Sequence, residues 1–421
     1  MIKEKYKIAI IGLGYIGLPL SIAFSKFHKV FGYDNNKERI KNILKNTNHK
    51  SSFKKNNLII SDDIKNIKNC NIFIITVPTP VFKNKSPNLN PLKNASKNIA
   101  KFLKKNDIVI YESTVYPGTT EDILVPILEK YSKLKYNYDF FCGYSPERLN
   151  PGSFFEDISK IVKITSGSNL KTAIKIDKLY GQIITAGTYR AENIKIAEAA
   201  KVIENCQRDL NISLVNEFYL IFEKLKIDSY KVLKAASTKW NFLSFKPGLV
   251  GGHCIGVDPY YLTYVSKTHG YIPKVILSGR EINDEMSFSI SKIFLKNLRL
   301  NNFKINSLKI LIMGFTFKED CEDTRNSKIF DLYLNLSKHI KNIDIYDPVA
   351  IKGNVKKNYG INLIKYPKLN YYDGVMVLNS HKIFKKMGLK KIIRFGKSKS
   401  LIYDFKDTFK QKSHIFLKKD V

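Results

Sequence analysis

The 421-residue chain has few cysteines, and their arrangement excludes two classes of small domain. The five cysteines, at positions 70, 142, 206, 254 and 321, show no paired short spacing of the kind that zinc sites and disulfide frameworks use. We therefore expect reduced thiols, no metal site and a cytoplasmic protein. No stretch approaches the roughly 18 consecutive apolar residues that a membrane span needs, so we expect no association with a membrane.

Arginine is scarce as well, although the formal net charge is +34. Of the 71 basic residues, 8 are arginines and 63 are lysines, spread over the whole chain. Nucleic-acid binders usually concentrate basic residues on one face and use arginine for bidentate contacts. We therefore expect no nucleic-acid partner and attribute the charge to a compositional drift toward Lys, Asn and Ile. The charge should still attract anionic ligands in a salt-dependent way.

A glycine-rich loop near the start of the chain predicts a cofactor. The apolar run at 8–11 leads directly into Gly12-x-Gly14-x-x-Gly17, and the next strand-like run ends at Asp34. In this fingerprint the first glycine makes the tight turn, the second lets a pyrophosphate approach the backbone and the third lets the helix pack on the strand. An acid after the second strand accepts from the ribose hydroxyls and repels a 2′-phosphate. The pattern predicts NAD rather than NADP.

The same segment could also be interpreted as a secretory signal peptide. Lys3, Lys5 and Lys7 precede a long apolar run at 8–24. The three glycines and Pro19 interrupt that run, and no small-residue cleavage site stands before the acid of the second strand. The glycine loop is therefore the favoured interpretation.

Apolar strand-like runs alternate with helical stretches in two parts of the chain. This alternation predicts an α/β protein with two Rossmann-like doubly wound domains, joined by a central helical domain with one long helix at 191–225. Gly314 of the second part stands alone and does not form another NAD fingerprint. The predicted strands are 7–12, 29–33, 71–77, 107–112, 138–142 and 160–165, then 309–315, 342–346, 374–378 and 401–405. The predicted domains are 1–190, which binds NAD, 191–302, which is helical, catalytic and dimerising, and 303–421.

Residues 245–262 place Cys254 among glycines, four residues ahead of Asp258. Backbone N–H groups beside such glycines can come close to a bound group and stabilise a thiolate or a developing oxyanion. Most cysteines outside disulfides are simply small buried side chains, so a structural thiol is the alternative. The pattern favours a nucleophile.

Six motifs occur in order along the chain. They are GLGYIGLPL at 12–20, ESTVYPGTT at 112–120, GYSPERLNPG at 143–152, AEAAKVIEN at 197–205, GGHCIGVDPYYL at 251–262 and GFTFKEDCEDTR at 314–325. Taken together, these motifs resemble those of the UDP-glucose/GDP-mannose 6-dehydrogenase family, and most closely those of its branch that acts on UDP-N-acetylhexosamines, the Vi-antigen type. Such enzymes oxidise C6 of the sugar from alcohol to carboxylate with two NAD and one water, for surface polysaccharide synthesis.

The resemblance implies roles for particular residues. Cys254 would hold the sugar as a thiohemiacetal and then a thioester. Lys201 and Asn205, four apart on one helix face, would stabilise the alkoxide or oxyanion. Asp258 would order water or take a proton from the lysine, and Glu147 would be the base for hydrolysis. The implied catalytic set is Cys254, Lys201, Asn205, Asp258, Glu147 and Thr114, the last as a water-positioning hydroxyl.

The long helix at 191–225, apolar on more than one face, predicts a homodimer. The resemblance implies two sets of binding residues. The third domain would bind the UDP-sugar. The implied NAD contacts are Gly12, Gly14, Tyr15, Ile16, Gly17, Asp34, Arg39, Thr79, Ser113, Thr114 and Arg325. The implied contacts to the UDP-sugar are Glu147, Arg148, Leu149, Lys201, Asn205, Phe245, Pro247, Gly248, Gly251 and Lys318.

Departures from the family pattern leave more than one nucleotide sugar as the candidate substrate. Arg148 and Pro151-Gly152 stand where UDP-glucose enzymes have a Phe and a Glu-Gly, which favours the N-acetyl branch. That branch usually continues with a charged stretch, whereas this chain has Ser153-Phe154-Phe155. UDP-glucose or GDP-mannose dehydrogenase activity is the alternative. An inactive binding protein is a third hypothesis, opposed by the presence of all the polar catalytic residues.

Overall fold

The computed structural model describes residues 6–45, 57–148, 155–411 and 413–420, with 155–157 described by backbone alone. The chain forms two compact units. Unit 1 comprises Met1–Glu204 with Tyr260–Ile272, and unit 2 comprises Asn205–Pro259 with Pro273–Val421. The division into three domains at 1–190, 191–302 and 303–421 stays a prediction.

Unit 1 contains one sheet of eight strands. Strand β1 lies between β2 and β4, and the order is β3-β2-β1-β4-β5-β6-β7-β8. All neighbours are parallel except β6 and β7. The chain reverses its direction of winding between β1 and β4, so the crevice beyond the carboxyl ends of these strands is where such a sheet binds a ligand. The strands are β1 Lys7–Ile11, β2 Lys29–Tyr33, β3 Leu58–Ser61, β4 Ile72–Ile75, β5 Ile108–Tyr111, β6 Phe141–Tyr144, β7 Lys163–Gly167 and β8 Thr188–Arg190.

Composition explains why the central strands form. Every residue of β4 (IFII) and β5 (IVIY) is buried, because helices cover both faces of a doubly wound sheet. The described helices of unit 1 pack buried side chains against this sheet. They are α1 Gly17–Phe24, α2 Lys37–Lys45, α3 Asn90–Ala100, α4 Val125–Ser132 and α5 Leu170–Gly181, with a π-helical turn at Thr119–Leu124. Helix α6, Ile194–Leu225, begins in unit 1 and continues in unit 2.

Unit 2 has a second, smaller sheet with the order β10-β9-β11-β12-β13, in which only the β12–β13 pair is antiparallel. Its strands are β9 Lys309–Met313, β10 Asn342–Tyr346, β11 Tyr372–Val377, β12 Gly396–Asp404 and β13 Ile415–Leu417. The helices that follow α6 are α7 Ser229–Ala236, α8 Asp258–Thr268, which continues into unit 1, α9 Lys274–Leu300, α10 Lys328–Ser337, α11 Lys352–Tyr359, α12 Lys382–Met387 and α13 Leu389–Ile392.

One of the two buried apolar clusters in the described part of unit 2 lies between α9 and the sheet. Phe294 of α9 stacks on Tyr403 of β12, with ring centroids 6.1 Å apart and an interplanar angle of 14°. Both side chains are fully buried, together with Ile290 and Ile310. The predicted α/β architecture with two Rossmann-like sheets and a long helix is confirmed.

The predicted strand at 138–142 is wrong at its start, since β6 begins at Phe141. Asn137 has a left-handed φ of 59°, and the backbone N–H groups of Tyr138 and Asp139 donate to the carbonyl of Lys135. This local turn keeps 138–140 out of the ladder. Three of the described strands were not predicted, namely β3, β8 and β13, and each is only three or four residues long.

Among the described residues, no helix combines the length and the hydropathy that crossing a bilayer requires. Within those same residues, no group of three or more His, Cys, Asp or Glu side chains is placed to hold a metal ion. None of the five cysteines forms a disulfide.

Candidate active site

The glycine loop after β1 has the shape that the sequence predicts. Gly12 has a φ of +97°, and its N–H donates to the carbonyl of Tyr33 at 2.8 Å. A Cβ on Gly17 would lie 1.8 Å from the carbonyl oxygen of Gly12. A Cβ on Gly14 would meet only Arg39 Nη1, at 3.8 Å. The turn therefore requires glycine at its first and third positions and leaves the backbone open at the second, as a pyrophosphate needs.

Asp34, at the carboxyl end of β2, braces this turn. Its Oδ2 accepts from the backbone N–H of Leu13 at 2.9 Å and from Arg39 Nη1 at 3.2 Å. Its Oδ1 accepts from the N–H of Asn36 at 2.9 Å. The side chain is 5 % exposed. Sequence reasoning placed Asp34 toward a ribose, and the structure adds that the same carboxylate ties the second strand to the glycine turn.

The other residues of unit 1 that were predicted to contact NAD lie around the carboxyl ends of the same sheet, whereas Arg325 lies in unit 2. Ser113 Oγ donates to the carbonyl of Val77 at 2.6 Å, which links the segments that follow β5 and β4. Tyr261 Oη donates to the carbonyl of Thr79 at 2.8 Å. Thr114 is half-buried. Tyr15, 37 % exposed, and Ile16 precede α1 in the turn.

A buried charge pair lies beside Glu147 and was not predicted. Lys163 Nζ donates to Glu112 Oε2 at 2.7 Å, and Tyr180 Oη donates to Glu112 Oε1. Burial raises the pKa of Glu112, the Lys163 ammonium lowers it, and the nearby Glu147 carboxylate raises it again. Glu147 itself is 8 % exposed. Nothing in the sequence distinguished Lys163 from the other 62 lysines.

The other residues of unit 1 that were predicted to contact the sugar are only partly described. Arg148 Nη2 forms an ion pair with Glu204 Oε1 at 2.7 Å, and Arg148 Nη1 donates to the carbonyl of Val162. Lys201 is buried on α6, 7 % exposed, although lysine is usually a surface residue. Leu149 lies outside the described residues.

In unit 2 a compact cluster surrounds Cys254. The carbonyl of Cys254 accepts from the N–H groups of Val257 at 3.0 Å and Asp258 at 2.8 Å. Cys254 and Asp258, the first residue of α8, are therefore joined by a single backbone turn. Asn205 Nδ2 donates to Asp258 Oδ2 at 2.5 Å. Asp258 is 3 % exposed, while Cys254 is half-buried. The structure thus brings together three of the predicted catalytic residues, Cys254, Asn205 and Asp258.

The glycines before Cys254 allow a close approach of two backbones. Gly252 has a φ of +81°, its N–H donates to the carbonyl of Arg325 at 3.1 Å, and its own carbonyl accepts from Asn326 Nδ2 at 2.9 Å. A Cβ on Gly251 would lie 2.6 Å from the carbonyl oxygen of Asn326. These contacts fix the cysteine loop against the 325–326 segment.

Arg325 brings positive charge to this loop. Its Nε donates to both carboxylate oxygens of Asp323 at 3.0 Å, and its Nη2 lies 2.5 Å from Asp323 Oδ2. Burial raises the pKa of Asp323, but the hydrogen bonds from Arg325 outweigh it and hold the pKa below its usual range. These bonds, and to a smaller extent Cys254, raise the pKa of Arg325. Sequence reasoning missed Asp323, although it stands in the same motif.

Cys206, next to Asn205, has the properties of a structural thiol. Burial, with Asp258 and Asp209 adding to it, raises the pKa of Cys206 to about 12. A thiol with such a pKa stays protonated near neutral pH.

A cavity of about 290 Å³ lies in unit 2 beside the loop that follows β9. Lys318 and Lys406 line it, and Lys406 Nζ donates to the carbonyl of Pro247 at 3.1 Å. Gly248 exchanges two hydrogen bonds with the side chain of Asn216, at 2.8 and 2.9 Å. The other lining residues are Leu249, Thr316, Phe317, Glu319, Lys328, Ile329 and Asn379.

The segment that leads into this region is open to solvent. Trp240, the single tryptophan of the chain, is 91 % exposed, and Leu243 is 62 % exposed. Phe245 is half-buried at the end of the segment.

Models of three domains of one family match the chain in order. They are the NAD binding domain of the UDP-glucose/GDP-mannose dehydrogenase family at 6–184, its central domain at 195–285 and its UDP binding domain at 311–411. The chain belongs to the UDP-glucose/GDP-mannose dehydrogenase family, and its cofactor is NAD.

Particular relatives sharpen this result. The chain is 50 % identical to a UDP-N-acetyl-D-glucosamine 6-dehydrogenase of Salmonella typhi over 410 residues, 96 % of each chain. It is 47 % identical to the protein of the same name from Pseudomonas aeruginosa, over 95 % of this chain and 96 % of the relative. Among solved structures, UDP-D-ManNAc dehydrogenase of Pyrococcus horikoshii superposes with a TM-score of 0.88 at 29 % identity, covering 97 % of both chains.

Proposed function

We propose that this protein oxidises the C6 alcohol of a UDP-N-acetylhexosamine, UDP-GlcNAc or UDP-GalNAc, to the carboxylate with two NAD and one water. The observation that carries the proposal is the cluster of Cys254, Asn205 and Asp258 in a chain that is half identical to a UDP-N-acetyl-D-glucosamine 6-dehydrogenase over nearly its whole length. The product would serve surface polysaccharide synthesis, in the cytoplasm.

Cys254 would carry the intermediate between the two oxidations. Its thiolate adds to the C6 aldehyde as a thiohemiacetal, loss of a hydride gives a thioester, and water releases the acid and regenerates the thiol. NAD, when bound, accepts one hydride in each oxidation. The side chain of Asn205, held by Asp258 at 2.5 Å, supports the role of a preorganised donor to the oxyanion. The positive charge of Arg325 favours a thiolate at Cys254.

Three residues of unit 1 complete the proposed catalytic set. Lys201 would stabilise the alkoxide of the first step, and its burial supports a function beyond a solvated surface charge. Glu147 would activate the hydrolytic water, and Thr114 would position that water. The buried pair of Lys163 and Glu112 supports this, because it holds Glu112 in place. The backbone carbonyl of Glu112 in turn accepts from the N–H of Glu147 at 3.4 Å.

The binding residues are proposed on the same grounds. The glycine turn and Asp34 would bind the pyrophosphate and ribose of NAD, with Tyr15, Ile16, Arg39, Thr79, Ser113, Thr114 and Arg325 around it. Lys318 and the loop 245–251 would hold the UDP moiety, and the lysine-lined cavity beside them supports this, since lysine suits a diphosphate. Lys406 and Lys328 add to that set. The turn with Glu147, Arg148 and Leu149 would flank the hexose.

A panel of nucleotide sugars tests the substrate. A site shaped for an N-acetyl group leaves an unpaired polar contact with glucose, which costs about 1 to 3 kcal/mol, or about 5- to 150-fold in kcat/KM. We expect UDP-GlcNAc or UDP-GalNAc to exceed UDP-glucose and GDP-mannose by at least about tenfold in NADH production. Preference for UDP-glucose would move the chain to the other branch, and no turnover of any of them would favour an inactive binding protein.

Cys254→Ala tests the covalent step. We expect formation of the uronic acid to be abolished, because the second oxidation requires the thiohemiacetal. Cys206→Ala is the matched control, a buried thiol one residue from Asn205 that should leave kcat within about twofold. Acid formation by Cys254→Ala at the wild-type rate would overturn the mechanism.

We also propose a homodimer that uses one face of α6. Ile196, Ile203, Leu214 and Ile221 are each more than 40 % exposed, and their spacing of 7, 11 and 7 residues places them on a single stripe of the helix. Ile203→Glu should shift the mass measured by light scattering from dimer to monomer, whereas Lys224→Glu on the same helix should not. A wild-type monomer would contradict the proposal.

A further inference from the structure

Glu198 is a buried carboxylate to which no role has been given so far. It lies on α6 and is 0 % exposed. Its Oε2 accepts from the backbone N–H of Gly118 at 2.6 Å and its Oε1 from the N–H of Thr120 at 2.9 Å. A buried carboxylate is costly unless it is hydrogen-bonded, so these two bonds account for its presence.

The two carboxylate oxygens of Glu198 accept from backbone N–H groups at the start of a helical turn, where carbonyl partners within the turn are lacking. Gly118 has a φ of +93° and precedes the π-helical turn Thr119–Leu124. The first N–H groups of any helix have no carbonyl partner inside it. Because 80 and 78 residues separate Glu198 from its two partners, the contact holds a tertiary arrangement rather than a local cap.

The carboxylate connects two elements that carry residues of the proposed catalytic set. The loop that it holds, 112–120, contains Ser113 and Thr114. On α6, Glu198 stands three residues before Lys201, so the two side chains share one face of the helix. A shift of this loop relative to the helix would change the position of Thr114 relative to Lys201.

We propose that Glu198 is a positioning residue for the dehydrogenase reaction, holding the 112–120 loop in register with the turn of α6 that carries Lys201. This inference rests on the proposed function for its kinetic consequence, although the contact itself does not depend on it. Glu198 would not touch substrate or NAD. It would act through the backbone of Gly118 and Thr120.

The charge state of Glu198 decides the conditions of the experiment. Burial raises the pKa of Glu198 to about 7, against the hydrogen bonds from Thr120 and Gly118, and Glu121 adds to the rise. The other titratable groups around this loop include Glu112, Tyr116, Glu121, Asp122, Lys195 and Tyr264. Assays above that pKa keep Glu198 ionised, so that both oxygens accept.

Two substitutions separate positioning from bulk stability. Glu198→Gln keeps the shape but presents an amide N–H to one of the two backbone donors. We expect kcat to fall by about 10- to 100-fold, because small misplacements of catalytic groups reduce the rate by such factors. The KM for NAD should stay within about threefold of wild type. Glu198→Asp keeps two acceptors and should recover at least about tenfold of that loss. Glu192→Gln, the same change at an exposed position just before α6, is the control.

Three kinetic results would overturn the proposal. They are a wild-type kcat in Glu198→Gln, a loss confined to the KM for NAD, and an equal loss in Glu192→Gln.

Hydrogen exchange tests the contact without any turnover. In the wild-type protein the amides of Gly118 and Thr120 should be protected at least about tenfold more than in Glu198→Gln, since each loses or weakens its acceptor. If the wild-type protein oxidises none of the nucleotide sugars, the proposed function fails while this measurement still decides the contact. Wild-type amides that exchange as fast as an open loop would overturn the inference even if Glu198→Gln proved too unstable to assay.

Discussion

In each sheet, the first strand in chain order is followed by a glycine turn of the same backbone shape, but the two turns differ in what they can bind. Gly12 after β1 and Gly314 after β9 have φ values of +97° and +99°. Their N–H groups donate to the last residues of the neighbouring strands, Tyr33 at 2.8 Å and Tyr346 at 2.9 Å. An aspartate follows each of those strands and accepts from the residue after the glycine. The two halves are built on one plan.

The difference lies in what fills the turn. Gly14 and Gly17 of the first turn correspond by position to Thr316 and Glu319 of the second, whose side chains line the turn and its cavity. Asp34 accepts three hydrogen bonds and is partly committed to Arg39. Asp347, the fully buried aspartate of the second turn, contacts the buried imidazole of His381. Its carboxylate also accepts from four backbone N–H groups, those of Phe315, Thr316, Val349 and Ala350. A turn filled by its own side chains cannot cradle a dinucleotide.

Among the substitutions that distinguish the two turns, replacement of the third glycine of the first turn should have the largest effect. Gly17→Ala puts a Cβ 1.8 Å from the carbonyl oxygen of Gly12, so the backbone must move. We expect at least about 3 kcal/mol of destabilisation and loss of NAD binding by more than about 100-fold, measured by urea denaturation and titration calorimetry. Glu319→Ala, at the same place in the second turn, should leave the affinity for NAD unchanged. Equal effects at both positions would show that the two turns do not differ in the way described.

The two aspartates should differ in their contribution to stability. Asp347→Asn sets an amide donor against backbone donors at a site with 0 % exposure, and we expect a loss of about 3 kcal/mol in the free energy of unfolding. Asp34→Asn removes fewer bonds and should cost about 1 kcal/mol. The reverse order in denaturation of the two variants would contradict the assignment of Asp347 as the structural acid.

Two buried acids should give unfolding free energies with opposite dependence on pH. The pKa of Glu198, raised to about 7, means that its stabilising contribution is present below the unfolded value and is lost as the pH rises through about 7. Burial raises the pKa of Asp347, but His381 and the backbone N–H groups hold it below its usual range, so its contribution is lost only in acid. From about pH 5 to about pH 8, the stability of wild type relative to Glu198→Gln should fall by about 2 to 3 kcal/mol. The same difference for Asp347→Asn should stay flat over that interval.

The smallest expected effect concerns the choice of cofactor. A 2′-phosphate within about 4 Å of the Asp34 carboxylate costs about 1 to 4 kcal/mol, and the Arg39 ion pair at 3.2 Å places this chain toward the lower end. Wild type should therefore prefer NAD over NADP by about fivefold in kcat/KM, and Asp34→Asn should bring that ratio close to one. Equal kcat/KM for both cofactors in wild type would show that Arg39 masks the acid.

The parts of the fold that follow from periodic or positional rules were predictable from sequence. The glycine turn, the central strands and the long helix α6 each carry a pattern that only one structure satisfies. Strands β3, β8 and β13 were not predictable, because their stability comes from pairing with a neighbour that the pattern does not name.

The candidate site divides in the same way. Cys254, its glycines and Asp258 stand within one short segment, so spacing alone indicated them. Lys163 and Glu198 act through partners 51 and about 80 residues away, and their residue types carry no signal in a lysine-rich chain. Their identification required the tertiary structure.

Trp240 offers a local spectroscopic probe. As the chain's single indole, 91 % exposed and five residues before the predicted substrate loop, it accounts for all tryptophan emission of the protein. A blue shift on adding UDP, without NAD, would report that the 238–245 segment leaves water when the nucleotide binds. An unchanged emission maximum would report that the segment stays solvated, so ordering of this segment can be followed in real time with no label.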